Sequence, residues 1–183
     1  LSEDGYRVLG SRHVLETPWV AVREDAFVTP EGVVHQPYYV VEYPDWVHVV
    51  AVDDARRLLL VRQYRHGMGA ITLELPAGKI DADDAGPEAA AARELLEETG
   101  CAARSLRLIG THWANPANQN NRIFTVLAEG VHPVRAPADD PHERVETEWR
   151  PLDQAVEIAK AMPALFQSGS LLLAQAEIAA PGR

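Results

Sequence analysis

The chain is poor in several things, and each shortage excludes a class of protein. It has one cysteine, Cys101, so it can form neither an internal disulfide framework nor a multi-cysteine metal site. Its apolar runs are only a handful of residues long. A membrane-crossing helix needs about 20, so none is expected. Basic residues are outnumbered, 17 Lys and Arg against 27 Asp and Glu, for a net charge of −10. That balance argues against a nucleic-acid or anionic-membrane binder, which wants a basic face. It leaves room for a small anionic ligand met by local arginines. No basic segment followed by an apolar one opens the sequence, so no signal peptide is expected and a reducing, cytoplasmic setting is the default.

What is present is ordinary for a soluble domain: 183 residues, 46% apolar and 24% charged, with no internal repeat. Residues 20–29 and 33–42 are rich in Val, Phe and Tyr around a Pro30-Glu31-Gly32 turn. They predict a hairpin within a small N-terminal antiparallel sheet, residues 1–44. Residues 45–183 then form the main domain. Strands are expected over 47–52, 58–64, 71–75, 107–111 and 122–128, with loops over 112–121 and 133–142. A helix is expected over Pro87–Thr99. Pro87 suits its first turn, Ala89 to Ala92 favour helix, and Gly100 fits a left-handed stop. Two more helices are expected, 153–162 with Asp153 as N-cap and 171–178 after Gly169. Strands, one helix, more strands and terminal helices make the class α+β, or a mixed-sheet sandwich.

The helix over 87–99 carries the strongest chemical signal. On a wheel of about 100° per residue, Glu94, Glu97 and Glu98 share one face. Ala92 and Leu96 fall opposite. The helix is therefore expected to bury Ala89, Ala92, Leu95 and Leu96 and to turn three carboxylates outward together. Like charges about 5.5 Å apart repel by roughly 0.8 kcal/mol in water and roughly 3 at an effective dielectric of 20. In a cleft such a cluster would raise a carboxylate pKa or demand a cation, and carboxylate oxygens suit Mg²⁺ or Mn²⁺. On spacing alone, a solvated acidic face explains the pattern as well.

The flanking residues separate the two readings. Gly78-Lys79-Ile80 and then Arg93-Glu94-Leu95-Leu96-Glu97-Glu98-Thr99-Gly100-Cys101 resemble the Nudix box. That motif reads Gly, five residues, Glu, seven residues, then Arg-Glu-apolar-any-Glu-Glu-any-Gly-apolar. The second half is matched at every position. The first half departs from it: Arg93 lies fifteen positions after Gly78, one more than in the box. The box's first glutamate falls at Asp84 counted forward or Ala85 counted back, and Asp84 can take its place. The resemblance implies an α/β/α sandwich that hydrolyses nucleoside diphosphates linked to another group, with Mg²⁺ or Mn²⁺. It implies Glu94 and Glu98 as principal metal ligands, Glu97 as a ligand directly or through water, and the Ala77 carbonyl as a backbone ligand. Arg93 would orient the glutamates.

Gln63-Tyr64-Arg65 followed by Leu73-Glu74-Leu75-Pro76-Ala77-Gly78 resembles the branch that takes ADP-ribose and nucleotide sugars. The resemblance implies that Arg65 and Glu74 approach substrate or metal. Pairing of Arg65 with Glu74 at a strand end is the simpler alternative. Pro116 fits a proline of that branch, and the amides of 118–121, Asn120 among them, could meet sugar hydroxyls or phosphate. The branch implies a general base from a late glutamate, Glu143 first and Glu146 second. Trp46 could stack on the base or simply pack in the core. A homodimer through the N-terminal sheet is expected. The rival functions are a pyrophosphatase for dinucleoside polyphosphates or nucleoside triphosphates, and a non-catalytic nucleotide-sugar sensor. The intact glutamates and the charge of −10 weigh against the sensor.

Overall fold

The computed structural model describes residues 4–137 and 144–180. They fall into two compact units: residues 1–44 with 113–122, and residues 45–112 with 123–183.

The first unit is a three-stranded antiparallel sheet: β1 (Arg7–Glu16), β2 (Ala21–Val28) and β3 (Val34–Glu42), in that order. β2 and β3 match the expected hairpin, and Gly32 turns it at φ 84°. β1 is an addition to that hairpin. Gly10 interrupts its alternation, and the ladder slips twice, between Val8 and Gly10 and between His13 and Leu15. Residues 113–122 attach to β3. The Val41 N–H donates to the Asn118 carbonyl at 2.8 Å, and Asn120 Nδ2 donates to Glu42 at 3.3 Å.

The second unit is built on a mixed sheet. Its strands are β4 (Trp46–Val52), β5 (Arg57–Arg65), β6 (Ala70–Glu74), β7 (Ala77–Lys79), β9 (Ser105–Trp113), β10 (Arg122–Glu129) and β12 (Val145–Pro151). The order is β12-β5-β4-β10-β9, with β6 on β5 and β7 on β4. β4 and β10 run parallel. The short strands β8 (Cys101–Ala102) and β11 (His132–Pro133) pair with each other.

Helices cover both faces, and alternate residues of β4 divide between them. Val47, Val49 and Ala51 pack with Ala90, Ala91 and Leu95 of α1 (Pro87–Thr99). Val50 and Val52 pack with α2 (Ala155–Ala161) and α3 (Leu165–Ala179), through Ile158, Ala159, Leu171 and Ala174. Burial on both faces explains why β4 and β5 read as continuous apolar runs rather than alternations. The α/β/α sandwich expected from the sequence is what forms. No helix among the described residues is long and apolar enough to cross a membrane.

Three helix expectations need correction. Residues 152–154 form a 3-10 turn, with the Ala155 N–H bonded to the Leu152 carbonyl, so Asp153 sits inside that turn and does not cap α2. α3 starts at Leu165 and runs through Ser168-Gly169-Ser170. These poor helix formers are held by tertiary bonds, Ser168 to the Ala159 carbonyl at 2.7 Å and Ser170 to His48 at 2.9 Å. α1 buries Ala90, Ala91 and Leu95 together with Glu98, while Ala92 is exposed. Its acidic side is thus not opposite its packed side. β12 is a strand that the sequence does not announce, because Val-Glu-Thr-Glu-Trp-Arg-Pro has the charged composition of a sheet edge.

Candidate active site

α1 is set by its ends. Gly100 takes the left-handed conformation, φ 68° and ψ 14°, and its N–H returns to the Leu96 carbonyl at 3.0 Å. A side chain at Gly100 would also strike the Arg135 carbonyl. Fixed this way, the helix lies against β7, and its three glutamates enter three environments.

Glu98 is buried, and its Oε2 accepts the Ala77 N–H at 3.1 Å. Glu94 is half-buried over Gly78, whose missing Cβ leaves the space that the Glu94 carboxylate fills. Glu97 is the outermost, its side chain 48% exposed. A side chain at position 78 would therefore displace the Glu94 carboxylate.

Arg93 ties the group together. It donates to Asp84 Oδ1 at 3.2 Å and Oδ2 at 2.8 Å, to Glu94 at 2.8 Å, to Glu97 at 3.2 Å and to the Lys79 carbonyl at 3.0 Å. The Asp84 bonds, above all, push the Arg93 pKa further up despite some burial, with Glu94 adding to them. Asp84 is held below the ordinary carboxylate range, first by that hydrogen bond from Arg93. The loop with one extra residue thus delivers Asp84, not Ala85, to the arginine.

Among the described residues, no three His, Cys, Asp or Glu side chains are gathered into a ready-made ligand set. The fit to a hard divalent ion rests instead on donor chemistry. Glu94 and Glu98, one helical turn apart, both meet the Ala77–Gly78 backbone, and all the donors are oxygens.

Arg65 and Glu74 form a two-point pair, Nε to Oε1 at 2.9 Å and Nη2 to Oε2 at 2.8 Å. Thr72 donates to Glu74 as well, and Gln167 Nε2 donates to its Oε2 at 2.7 Å. Burial alone would raise the Glu74 pKa. The bonds from Arg65 and Thr72, the Arg65 charge and the bond from Gln167 outweigh it and hold the group below its usual value. The Arg65 side chain still keeps 40% of its surface exposed.

Trp46 is half-buried, its ring 6.1 Å from that of Phe166, which stacks on His48 at 5.6 Å. Asn120 belongs to the first unit, bonded to Glu42. Its neighbour Asn121 is 1% exposed, and among the described residues neither polar atom of its side chain has a partner. Glu146 lies on β12 opposite Arg62, with Arg144 at 3.9 Å. Glu143 lies outside the described residues.

Beneath this site lie polar groups of α3 that the sequence motifs do not point to. Gln167 bonds Glu74 and Leu75, and Ser170 links His48 to Thr125 at 2.9 and 2.8 Å. The one signal for them is local: Gln167-Ser168-Gly169-Ser170 is a polar stretch inside an otherwise apolar segment.

A family model described as the NUDIX domain matches residues 42–169. A second, the nucleoside diphosphate sugar hydrolase N-terminal domain, matches residues 6–41. An ADP-ribose pyrophosphatase from Mycobacterium tuberculosis (strain ATCC 25618 / H37Rv) is 31% identical over 157 residues, 85% of this chain and 75% of that protein. An ADP-ribose pyrophosphatase from Bacillus subtilis (strain 168) is 31% identical over 123 residues, 67% of this chain and 66% of that protein. A solved structure of an ADP compounds hydrolase matches with a TM-score of 0.83 at 22% identity, covering 94% of each chain, a likeness of fold. With a family model across more than half of its length and relatives at that level of identity, the chain belongs to the Nudix hydrolase family.

Proposed function

We propose that the protein hydrolyses the diphosphate linkage of nucleoside-diphosphate sugars, ADP-ribose first among them. The products are a nucleoside monophosphate and a sugar phosphate. The observation that carries this reading is that Glu94 and Glu98, from one face of α1, both meet the Ala77–Gly78 backbone. The names of the relatives support the substrate class.

In this reading Glu94, Glu98 and the Ala77 carbonyl hold Mg²⁺ or Mn²⁺, with Glu97 reaching it directly or through water. When bound, the ion neutralises charge on the diphosphate and activates water for attack on phosphorus. Arg93 keeps Glu94 and Glu97 in place and anchors the helix to Asp84. Arg65, aligned by Glu74, offers its exposed edge to a phosphate. Trp46 stacks on the base. Glu143 takes the proton of the attacking water, with Glu146 as the alternative.

The working unit in this reading is a homodimer paired through the N-terminal sheet. Exposed Val8, Leu9, Val14, Leu15, Val34 and Tyr39 on that sheet support it. A cytoplasmic setting is part of the same reading, in keeping with a sequence that carries no cysteine pair.

The test is release of phosphomonoesters from ADP-ribose, ADP-glucose, GDP-mannose, UDP-glucose, diadenosine polyphosphates and ATP, each with Mg²⁺ and with chelator. Metal-dependent cleavage of the sugar compounds is the expected result. Cleavage of polyphosphates alone would move the chain to the rival enzyme class. Binding without turnover would make it a sensor.

A further inference from the structure

Gln167 is 3% exposed, in the first turn of α3. Its Oε1 accepts the Leu75 N–H at 2.9 Å, and its Nε2 donates to Glu74 Oε2 at 2.7 Å. The two partners are consecutive residues, one a donor and one an acceptor. A planar side-chain amide supplies the matching acceptor and donor from one group. The pairing also fixes which end of the amide is oxygen.

The contact matters because Leu75 leads directly into the backbone of the site. Pro76 has no N–H, and its carbonyl accepts the Val49 N–H at 2.8 Å. The Ala77 N–H goes to Glu98 at 3.1 Å, and Glu94 covers Gly78. The segment 74–78 is thus held from three sides: by α3 at its entrance, by β4 in its middle and by α1 at its exit. The same amide bond leaves the Glu74 carboxylate facing Arg65 along two parallel hydrogen bonds. Removing the amide would orphan a main-chain N–H and strip a partner from a buried carboxylate, both costly in a dry setting.

We propose that Gln167 is a positioning residue that sets the placement of both Arg65 and the Ala77–Gly78 segment of β7, and so tunes metal affinity and turnover from the C-terminal helix. The proposal rests on reading that segment as part of a diphosphate-hydrolysing metal site. Groups that hydrogen-bond metal ligands commonly carry a tenfold or larger share of affinity or activity, and Gln167 acts one step further out, through Glu74 and Leu75.

The experiment compares wild type, Gln167→Leu and Gln167→Glu. Mn²⁺ affinity is read without substrate, by water-proton relaxation. The kinetic constants kcat and KM for ADP-ribose are read separately, and folding is checked by circular dichroism and Tm. Gln167→Leu is expected to weaken Mn²⁺ binding about 10-fold and to lower kcat by a similar factor, with KM changed less. Gln167→Glu keeps the shape, and its protonated acid can still donate to Glu74. Its activity relative to wild type is expected to rise as the pH falls, with Glu74, Arg65 and the nearby His48 as the charged or titratable groups it faces. Gln167→Leu should show no such trend. If Gln167→Leu folds poorly, the pH series of Gln167→Glu still decides. Unchanged Mn²⁺ affinity and kcat in Gln167→Leu, with only Tm lowered, would overturn the proposal, as would a flat pH ratio in Gln167→Glu. A wild type that binds Mn²⁺ but cleaves no diphosphate would sink the functional reading and leave the affinity comparison standing.

Discussion

Glu94, Glu97 and Glu98 are the same residue type within one helical turn, yet their surroundings predict unequal responses to substitution. Glu98→Gln keeps an oxygen for the Ala77 N–H and removes the charge. Turnover should fall about 100-fold or more, above the usual share of an outer partner, while Tm stays close to wild type. Near-normal turnover in that variant would refute the metal assignment. Glu97→Gln, at the exposed rim, should lose less in the same assay. Gly78→Ala is expected to be as damaging as Glu98→Gln, because its methyl enters the space of the Glu94 carboxylate. Retained Mn²⁺ binding in Gly78→Ala would contradict that.

His48 gives a stability prediction with a definite sign. Burial lowers its pKa to about 4, against the opposing pull of the Glu74 charge, from an ordinary value of 6.5. The native state therefore resists taking up a proton that the unfolded chain binds readily. Stability is unaffected above about pH 6.5 and falls as the pH drops from there toward about 4. The loss at pH 5 from this group is about 2 kcal/mol. In His48→Asn, whose amide can occupy the place of Nδ1 beside Ser170, urea midpoints should depend less on pH between 7 and 5. An unchanged slope would show that His48 is not the group responsible.

At the scale of elements, legibility follows locality. α1 is readable because its start, its stop and its composition are all written within its own residues, and Gly100 adopts the αL stop expected of it. Its buried face is not readable. The wheel treats carboxylates as outward-facing, whereas here Glu98 turns inward and accepts the Ala77 N–H. β4 and β5 are plain as apolar runs. β12 and β1 escape a reading by local pattern because edge strands carry charged or irregular sequences, which resemble loops. α3 begins earlier than its apolar run suggests because the bonds that sustain Ser168 and Ser170 reach residues 9 and 122 positions away in the chain. At the site, the Nudix box announces Glu94, Glu97, Glu98 and Arg93 by identity alone. Gln167 has no such announcement, since its meaning depends on Glu74 and Leu75 lying opposite it in space.

For the whole molecule, the exposed apolar surface of the N-terminal sheet predicts association. Light scattering after size exclusion should give twice the mass of one chain. Val14→Lys with Leu15→Lys should give monomers and should lower activity only if the partner completes the site. Chelator should abolish hydrolysis without dissociating the dimer, and added Mg²⁺ should restore it.

The stretch between Trp113 and Arg122 has a consequence for what can be taken apart. It belongs with the N-terminal sheet, through Tyr38, Val41 and Glu42, although it is spliced between two strands of the larger unit. The first forty-odd residues are therefore not an appendage that a protease or a gene truncation can trim without loss. Cutting the chain after Pro44 would strand those ten residues without the strand they rest on. Inheritance of the sheet without that inserted stretch would leave β3 without the neighbour it bonds.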